Sequence, residues 1–291
     1  MRWTRGDRSN VEDLRGRSGM GMRVGAPIGL GGLLVVLLLS WVTGVDILSL
    51  IGGGGGMPAP EYADTSTGPF EATPEEEQLV DMVDAVMRDA QDTWTALLGE
   101  RYQPTRAVLF RDAVQSACGF AQSATGPFYC PGDHKVYLDL GFFTELHRRF
   151  GAPGDFAQAY VLAHELGHHV QSLLGIDQRV RQQQTSNPSM RNELSVMMEL
   201  QADCFAGVWG HAANRPGRAI QQRVELDPGD FEEGITAAGA IGDDRIQRQQ
   251  SGRVSPDSFT HGSSRQRVEW FRRGFESGRP ESCETFGGHG N

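Results

Sequence analysis

Val161-Leu162-Ala163-His164-Glu165-Leu166-Gly167-His168-His169-Val170-Gln171 holds one complete His-Glu-x-x-His motif inside an otherwise apolar run. On an α-helix, residues four apart lie one above the other, so His164 and His168 can aim their imidazoles at one point. That point suits a zinc ion, and Glu165, one residue round the helix, stands where a carboxylate can take a proton from an attacking water. Three-residue motifs also arise by accident, usually in polar or irregular segments. Here Phe156, Tyr160, Ala163, Gly167, Val170 and Leu174 form one stripe, and Leu162, Leu166 and Leu173 add a second. A helix apolar round most of its circumference is buried, and buried His, Glu and His need a partner to offset their desolvation. Zinc is expected over a merely structural histidine pair. Asp155, after Pro153-Gly154, reads as the N-cap, and Gly175 as the stop.

The chain has 291 residues, 38% of them hydrophobic, enough for a real core. A net charge of −10 argues against nucleic acid as a partner, since phosphate binding requires clustered Lys and Arg. Residues 1–23 run the other way, with Arg2, Arg5, Arg8, Arg15, Arg17 and Arg23 against Asp7, Glu12 and Asp13. An uncharged run from Val24 to Val45 follows; at about 1.5 Å per residue it spans roughly 33 Å, close to the hydrocarbon core of a bilayer. The expected organisation is therefore a cytoplasmic basic segment (1–23), a single-pass transmembrane anchor (24–51), a Gly/Pro-rich linker (52–73) and an extracytoplasmic domain (74–291). A cleaved signal peptide is the alternative, but no clear small-x-small site follows the apolar run.

Within the domain, Leu79, Val83, Val86, Met87, Ala90, Trp94 and Leu97 predict a helix from Pro74 to Leu98, with Thr73 and Glu76 as a capping box and Gly99 as the stop. Ala107-Val108-Leu109-Phe110 predicts a strand. The four cysteines, all beyond the anchor, suggest two disulfides in an oxidising compartment. Local closure favours Cys118 with Cys130, worth about 3 kcal/mol by chain entropy, which leaves Cys204 with Cys283. Val136-Tyr137-Leu138-Asp139-Leu140 alternates just before the motif helix and is expected to be an edge strand on which an extended peptide pairs main chain to main chain.

Catalytic zinc takes three protein ligands and keeps one position open. A third histidine six residues past His168 is ruled out, because Gln171 and Leu174 occupy the places where an extended motif has Gly and His. Glu199-Leu200-Gln201-Ala202-Asp203 is the next candidate: Glu199 as the third ligand, and Asp203, one turn on, accepting the other ring N–H of a ligand histidine. Ala202, Ala206, Gly207 and Gly210 would let a second helix approach closely. Two carboxylates one turn apart are otherwise a solvated face.

Ala163-His164-Glu165-Leu166-Gly167-His168-His169-Val170-Gln171 together with Glu199-Leu200-Gln201-Ala202-Asp203-Cys204 resembles the bacterial neutral zinc metallopeptidase family and, more distantly, the gluzincins. The likeness continues in Gly126-Pro127-Phe128-Tyr129-Cys130-Pro131, Val136-Tyr137-Leu138-Asp139 and Thr260-His261-Gly262-Ser263-Ser264, over roughly residues 75 to 286. The resemblance implies a membrane-tethered peptidase in which a distal donor, His261 or Arg265, supports the oxyanion. The combined expectation is an α+β, zincin-like domain, mainly helical with a small sheet, preceded by one transmembrane helix. It would bind one Zn2+ per chain and hydrolyse peptides or proteins. A non-catalytic zinc scaffold and a cell-wall peptide amidase are the rivals. Further along, Asp227-Pro228-Gly229-Asp230 predicts a turn, Phe231 to Arg248 a helix, and Arg265 to Glu276 a second, amphipathic one.

Overall fold

The computed structural model describes residues 1–16, 71–123, 126–221 and 223–287. In chain order the described elements are strand β1 (Val11–Asp13), helix α1 (Pro74–Leu98), strands β2 (Ala107–Phe110), β3 (Ala113–Ser116), β4 (Gly119–Gln122), β5 (Phe128–Cys130) and β6 (Lys135–Asp139), then helices α2 (Gly141–Arg148), α3 (Asp155–Leu173), α4 (Ile176–Ser186), α5 (Arg191–Ala213), α6 (Asp230–Ala240), α7 (Asp243–Ser251) and α8 (Ser264–Ser277). No helix among the described residues is long and apolar enough to cross a membrane. The expected anchor, 24–51, and most of the expected linker, 52–73, lie outside the described residues.

Four strands form one sheet in the order β1-β2-β6-β5, with β2 parallel to β1 and β6, and β5 antiparallel to β6. All four residues of β2 are buried, because the sheet is covered on both faces. Ala107, Leu109, Val136 and Leu138 pack with Val83, Val86 and Met87 of α1 and Tyr160 and Ala163 of α3. Val108, Phe110 and Tyr137 face the other way, onto Val114 and Ala121 of the β3–β4 hairpin. Cys118 and Cys130 join that hairpin to β5.

Two expectations fail here. Val136, Tyr137 and Leu138 are not on an edge: β6 pairs with β2 on one side and β5 on the other, so its backbone groups are already taken. The edge strand on that side is β5. Nor do the first residues stand apart from the domain. Val11, Glu12 and Asp13 pair with Ala107, Val108 and Leu109, and the pairing extends through Ala107 N to Asn10 O (2.9 Å) and Leu14 N to Leu109 O (2.8 Å). The arginines before and after β1 bind carboxylates of the domain: Arg5 and Arg8 meet Asp81, Arg8 and Arg15 meet Glu77, and Arg2 meets Glu225 and Asp227. The described part of the basic segment is an arm built into the fold.

Helix ends follow local chemistry. Thr73 and Glu76 close the capping box of α1, and Ser263 with Gln266 closes another at α8. Gly154, at φ 114°, precedes α3 in place of Asp155, which is the first helical residue. The predicted helix from Phe231 to Arg248 is broken into α6 and α7 at Ile241-Gly242, where a Cβ on Gly242 would collide with the backbone of Ser264. Close helix crossings set up the site. A Cβ on Gly167 would lie 2.9 Å from the carbonyl of Ala202, so α3 and α5 touch backbone to backbone. Gly207 and Gly274 do the same for α5 and α8. Cys204–Cys283 ties α5 to the C-terminal end, as expected.

Candidate metal centre

The Gly167–Ala202 crossing brings one turn of α5 over the motif turn of α3. Nε2 of His164 lies 3.2 Å from Oε2 of Glu199, and Nε2 of His168 lies 3.5 Å from Oε1 of the same carboxylate. The three ligand atoms fall within 4.8 Å of one another. Donors at about 2.0 Å round a tetrahedral ion stand about 3.3 Å apart, so the spacing fits zinc, as does the His, His, Glu donor set. Burial alone would raise the Glu199 carboxyl, but the imidazoles of His168 and His164 outweigh it and hold the group well below the usual range. Negative charge is thus kept at the point where a cation would sit.

Each imidazole is held by its other nitrogen. Nδ1 of His164 is 2.8 Å from Oδ1 of Asp203; a carboxylate only accepts, so Nδ1 carries a proton and Nε2 is the nitrogen turned to the metal position. Asp203 also accepts from Tyr160 and from Nε (2.8 Å) and Nη2 (2.9 Å) of Arg267. Burial would raise its pKa, yet Arg267 and His164 hold it below the ordinary value. Nδ1 of His168 is 2.8 Å from Oε1 of Gln171, whose amide is fixed because Nε2 donates to Met198 O at 2.7 Å and Gln201 Oε1 at 3.1 Å. One ligand is backed by an ion pair, the other by neutral amides.

Glu165 is buried and lines the same cleft, a cavity of about 940 Å3. Among the described residues its carboxylate has no hydrogen-bond or ion-pair partner, which leaves it open to a water. His261 also lines the cleft. Its Nδ1 lies 3.1 Å from Asp243, which accepts from the backbone N–H groups of Thr260, His261 and Gly262 as well. The hydrogen bond to Asp243 raises the His261 pKa against the pull of desolvation. Arg265 does not join them: it is exposed on α8, and Arg267, two residues on and about 200° round the helix, is the arginine that enters the site.

His169 plays a separate part. It is buried, donates from Nε2 to Gln103 O at 2.7 Å and accepts at Nδ1 from Tyr129 at 3.1 Å, tying α3 to the edge strand β5. Burial pushes its pKa down to about 4, so it is neutral. Gln171, Asp243 and Arg267 were not read as site residues from sequence. Arg267 had a signal: with Phe271 and Gly274 it makes the buried face of α8, where a charge needs a reason.

Comparison with known proteins agrees with this geometry. The profile of the family described as "Putative neutral zinc metallopeptidase" matches residues 1–286. The chain is 47% identical over 299 residues to "Uncharacterized protein YpfJ" of Escherichia coli (strain K12), with 99% of each covered. It is 43% identical over 199 residues to "Uncharacterized protein Rv2575" of Mycobacterium tuberculosis (strain ATCC 25618 / H37Rv), with 66% of each covered. No solved structure matches it. Two α3 histidines and an α5 glutamate spaced for zinc, in a chain matched almost end to end, place this protein in the putative neutral zinc metallopeptidase family.

Proposed function

We propose that the protein is a zinc-dependent endopeptidase. The observation that carries this reading is the convergence of His164, His168 and Glu199 at zinc spacing beside an unpartnered Glu165 in one cleft. Bound zinc would supply a Lewis acid that polarises the substrate carbonyl and acidifies water. Glu165 takes the proton from the attacking water and delivers it to the leaving amine. His261, whose pKa the hydrogen bond to Asp243 raises, donates to the developing oxyanion. Arg267 and Tyr160 position Asp203.

The substrate strand is β5 in place of β6. Phe128 and Tyr129 line the cleft on the free edge of the sheet, where an extended peptide can add as a further strand. In the same cleft, Phe142, Phe150, Val161, Ile241 and Ile246 offer apolar surface for a bulky side chain. A closed structural zinc site would need a fourth protein donor; the cluster among the described residues has three. Both disulfides support placing the domain in an oxidising compartment, and the apolar run 24–45 supports attachment to a membrane.

The test is cleavage of a mixed peptide library by full-length protein, first stripped with chelator and then reloaded with zinc. Cleavage restored by zinc, at bonds flanked by bulky apolar residues, is expected. Zinc at one per chain with every peptide intact would favour the scaffold.

A further inference from the structure

The charge pattern of residues 1–23, read by the rule that positive flanks stay in the cytoplasm, puts the arm and the catalytic domain on opposite sides of a membrane. The described structure has them in one sheet. β1 is hydrogen-bonded along β2 in parallel register, and Arg2 exchanges both backbone bonds with Glu225, N to O at 2.8 Å and O to N at 3.0 Å. Backbone pairing of this kind cannot be made through a hydrocarbon layer about 30 Å thick.

We propose that residues 1–16 lie on the same side of the membrane as the catalytic domain, as the basic partner of its acidic face, so that the apolar run 24–45 does not separate the two. The domain is incomplete without them. β2 is buried along its whole length, and removing β1 would open its edge. Asp84 on α1 is fully buried, and its carboxylate accepts from the backbone N–H (3.1 Å) and side-chain amide (3.0 Å) of Asn10. Gln91, also buried, donates to Asn10 at 3.0 Å. These are polar groups that need the arm to satisfy them.

Among the described residues, the four arginines that look like part of a cytoplasmic signal are matched one by one. Arg5 meets Asp81 at 2.9 Å, Arg8 meets Asp81 and Glu77 at 2.6 Å each, Arg15 meets Asp13 at 2.6 Å and Glu77 at 2.8 Å, and Arg2 meets Glu225 and Asp227 at 2.8 Å each. Glu12 in turn receives Lys135 of the domain at 2.6 Å. Paired in this way, the arm carries little unbalanced positive charge to hold it in the cytoplasm. An arm supplied by a second chain would likewise have to reach the same side to fill the same seam.

The chain suits a thiol-accessibility experiment, since its four cysteines are all in disulfides. Full-length protein in cells carries one engineered thiol, at Ser9→Cys in the arm or Ser255→Cys in the domain; both positions are exposed. Thr4→Cys, also exposed, gives a second arm position should Ser9→Cys resist labelling after permeabilisation. A membrane-impermeant maleimide is applied to intact and then to permeabilised cells. Arm and domain thiols are expected to behave alike, both reacting in intact cells or both only after permeabilisation. One reacting in intact cells while the other waits for permeabilisation overturns the proposal.

Discussion

Along the arm, Arg2, Arg5 and Arg8 reach their carboxylates across a seam that water shares, with side chains 55%, 68% and 28% exposed. Behind the candidate zinc ligands, Arg267 and Asp203 meet at 2.8 Å with side chains 3% and 0% exposed. The chemistry of the two seams is the same and the solvent differs. Exposed pairs are each worth about 0–1 kcal/mol, so the arm is held by number and by its backbone bonds. A buried pair has given up its hydration on both sides, so removing one partner strands the other. The arm can lose one of these exposed charges and stay docked; the site cannot lose a buried one.

The largest expected effect follows from that difference. Arg267→Met leaves Asp203 as an uncompensated buried carboxylate and should lower stability by about 3–5 kcal/mol in denaturant unfolding. Zinc affinity, read by chelator competition, should fall about 10- to 100-fold as His164 loses its fixed partner. Arg267→Lys keeps the charge without the two-pronged geometry and should fall between. Equal losses from Arg267→Met and from Arg8→Gln would erase the distinction between the two seams.

His261 and Asp243 lie between the extremes, at 52% and 11% side-chain exposure. His261→Ala should lower kcat/KM by about 10²-fold with little change in unfolding. The sign of its pH dependence is fixed. A histidine whose folded pKa is raised keeps its contribution below the unfolded pKa and loses it as pH rises through the folded value. Wild-type activity should therefore lose the His261 contribution on the alkaline side, above about 6.5, and that step should be missing in His261→Ala.

The smallest effect belongs to the arm: Arg8→Gln should cost at most about 1 kcal/mol. Its carboxylates titrate in the opposite sense. Glu77 is lowered by Arg8 and Arg15; in Asp13, Arg15 outweighs the opposing effect of burial. Their contribution is present above the unfolded pKa and lost as pH falls through the folded one. Hydrogen exchange at the Leu14 amide, bonded to Leu109, should accelerate below about pH 4, before the amides of β2 and β6 lose protection.

Features set by spacing within one element were legible in the sequence. The limits of α1, the β2 strand, the motif helix, the Glu199–Asp203 turn and both disulfides follow from periodicity, capping residues or loop closure. What was missed depends on pairing between distant segments. β1 is three residues long in a basic stretch, and nothing local says that it will add to β2. Alternation marked β6 as a strand but could not show that Phe128–Cys130 would take its outer edge. Arg265 and Arg267 differ only in which face of α8 they occupy, and that face is set by the Gly207–Gly274 contact. Gln171 reaches His168 within α3, but its amide is oriented by Met198 and Gln201 of α5, and Asp243 acts through hydrogen bonds that follow from the tertiary fold.

Central to this account is that Glu165 moves a proton and does not hold the metal. The most direct measurement is Glu165→Gln in the full-length protein, with zinc content and peptide cleavage recorded on the same sample. Zinc should remain at one per chain while cleavage falls by about 10²- to 10⁴-fold. Cleavage at the wild-type rate with zinc still bound would contradict it.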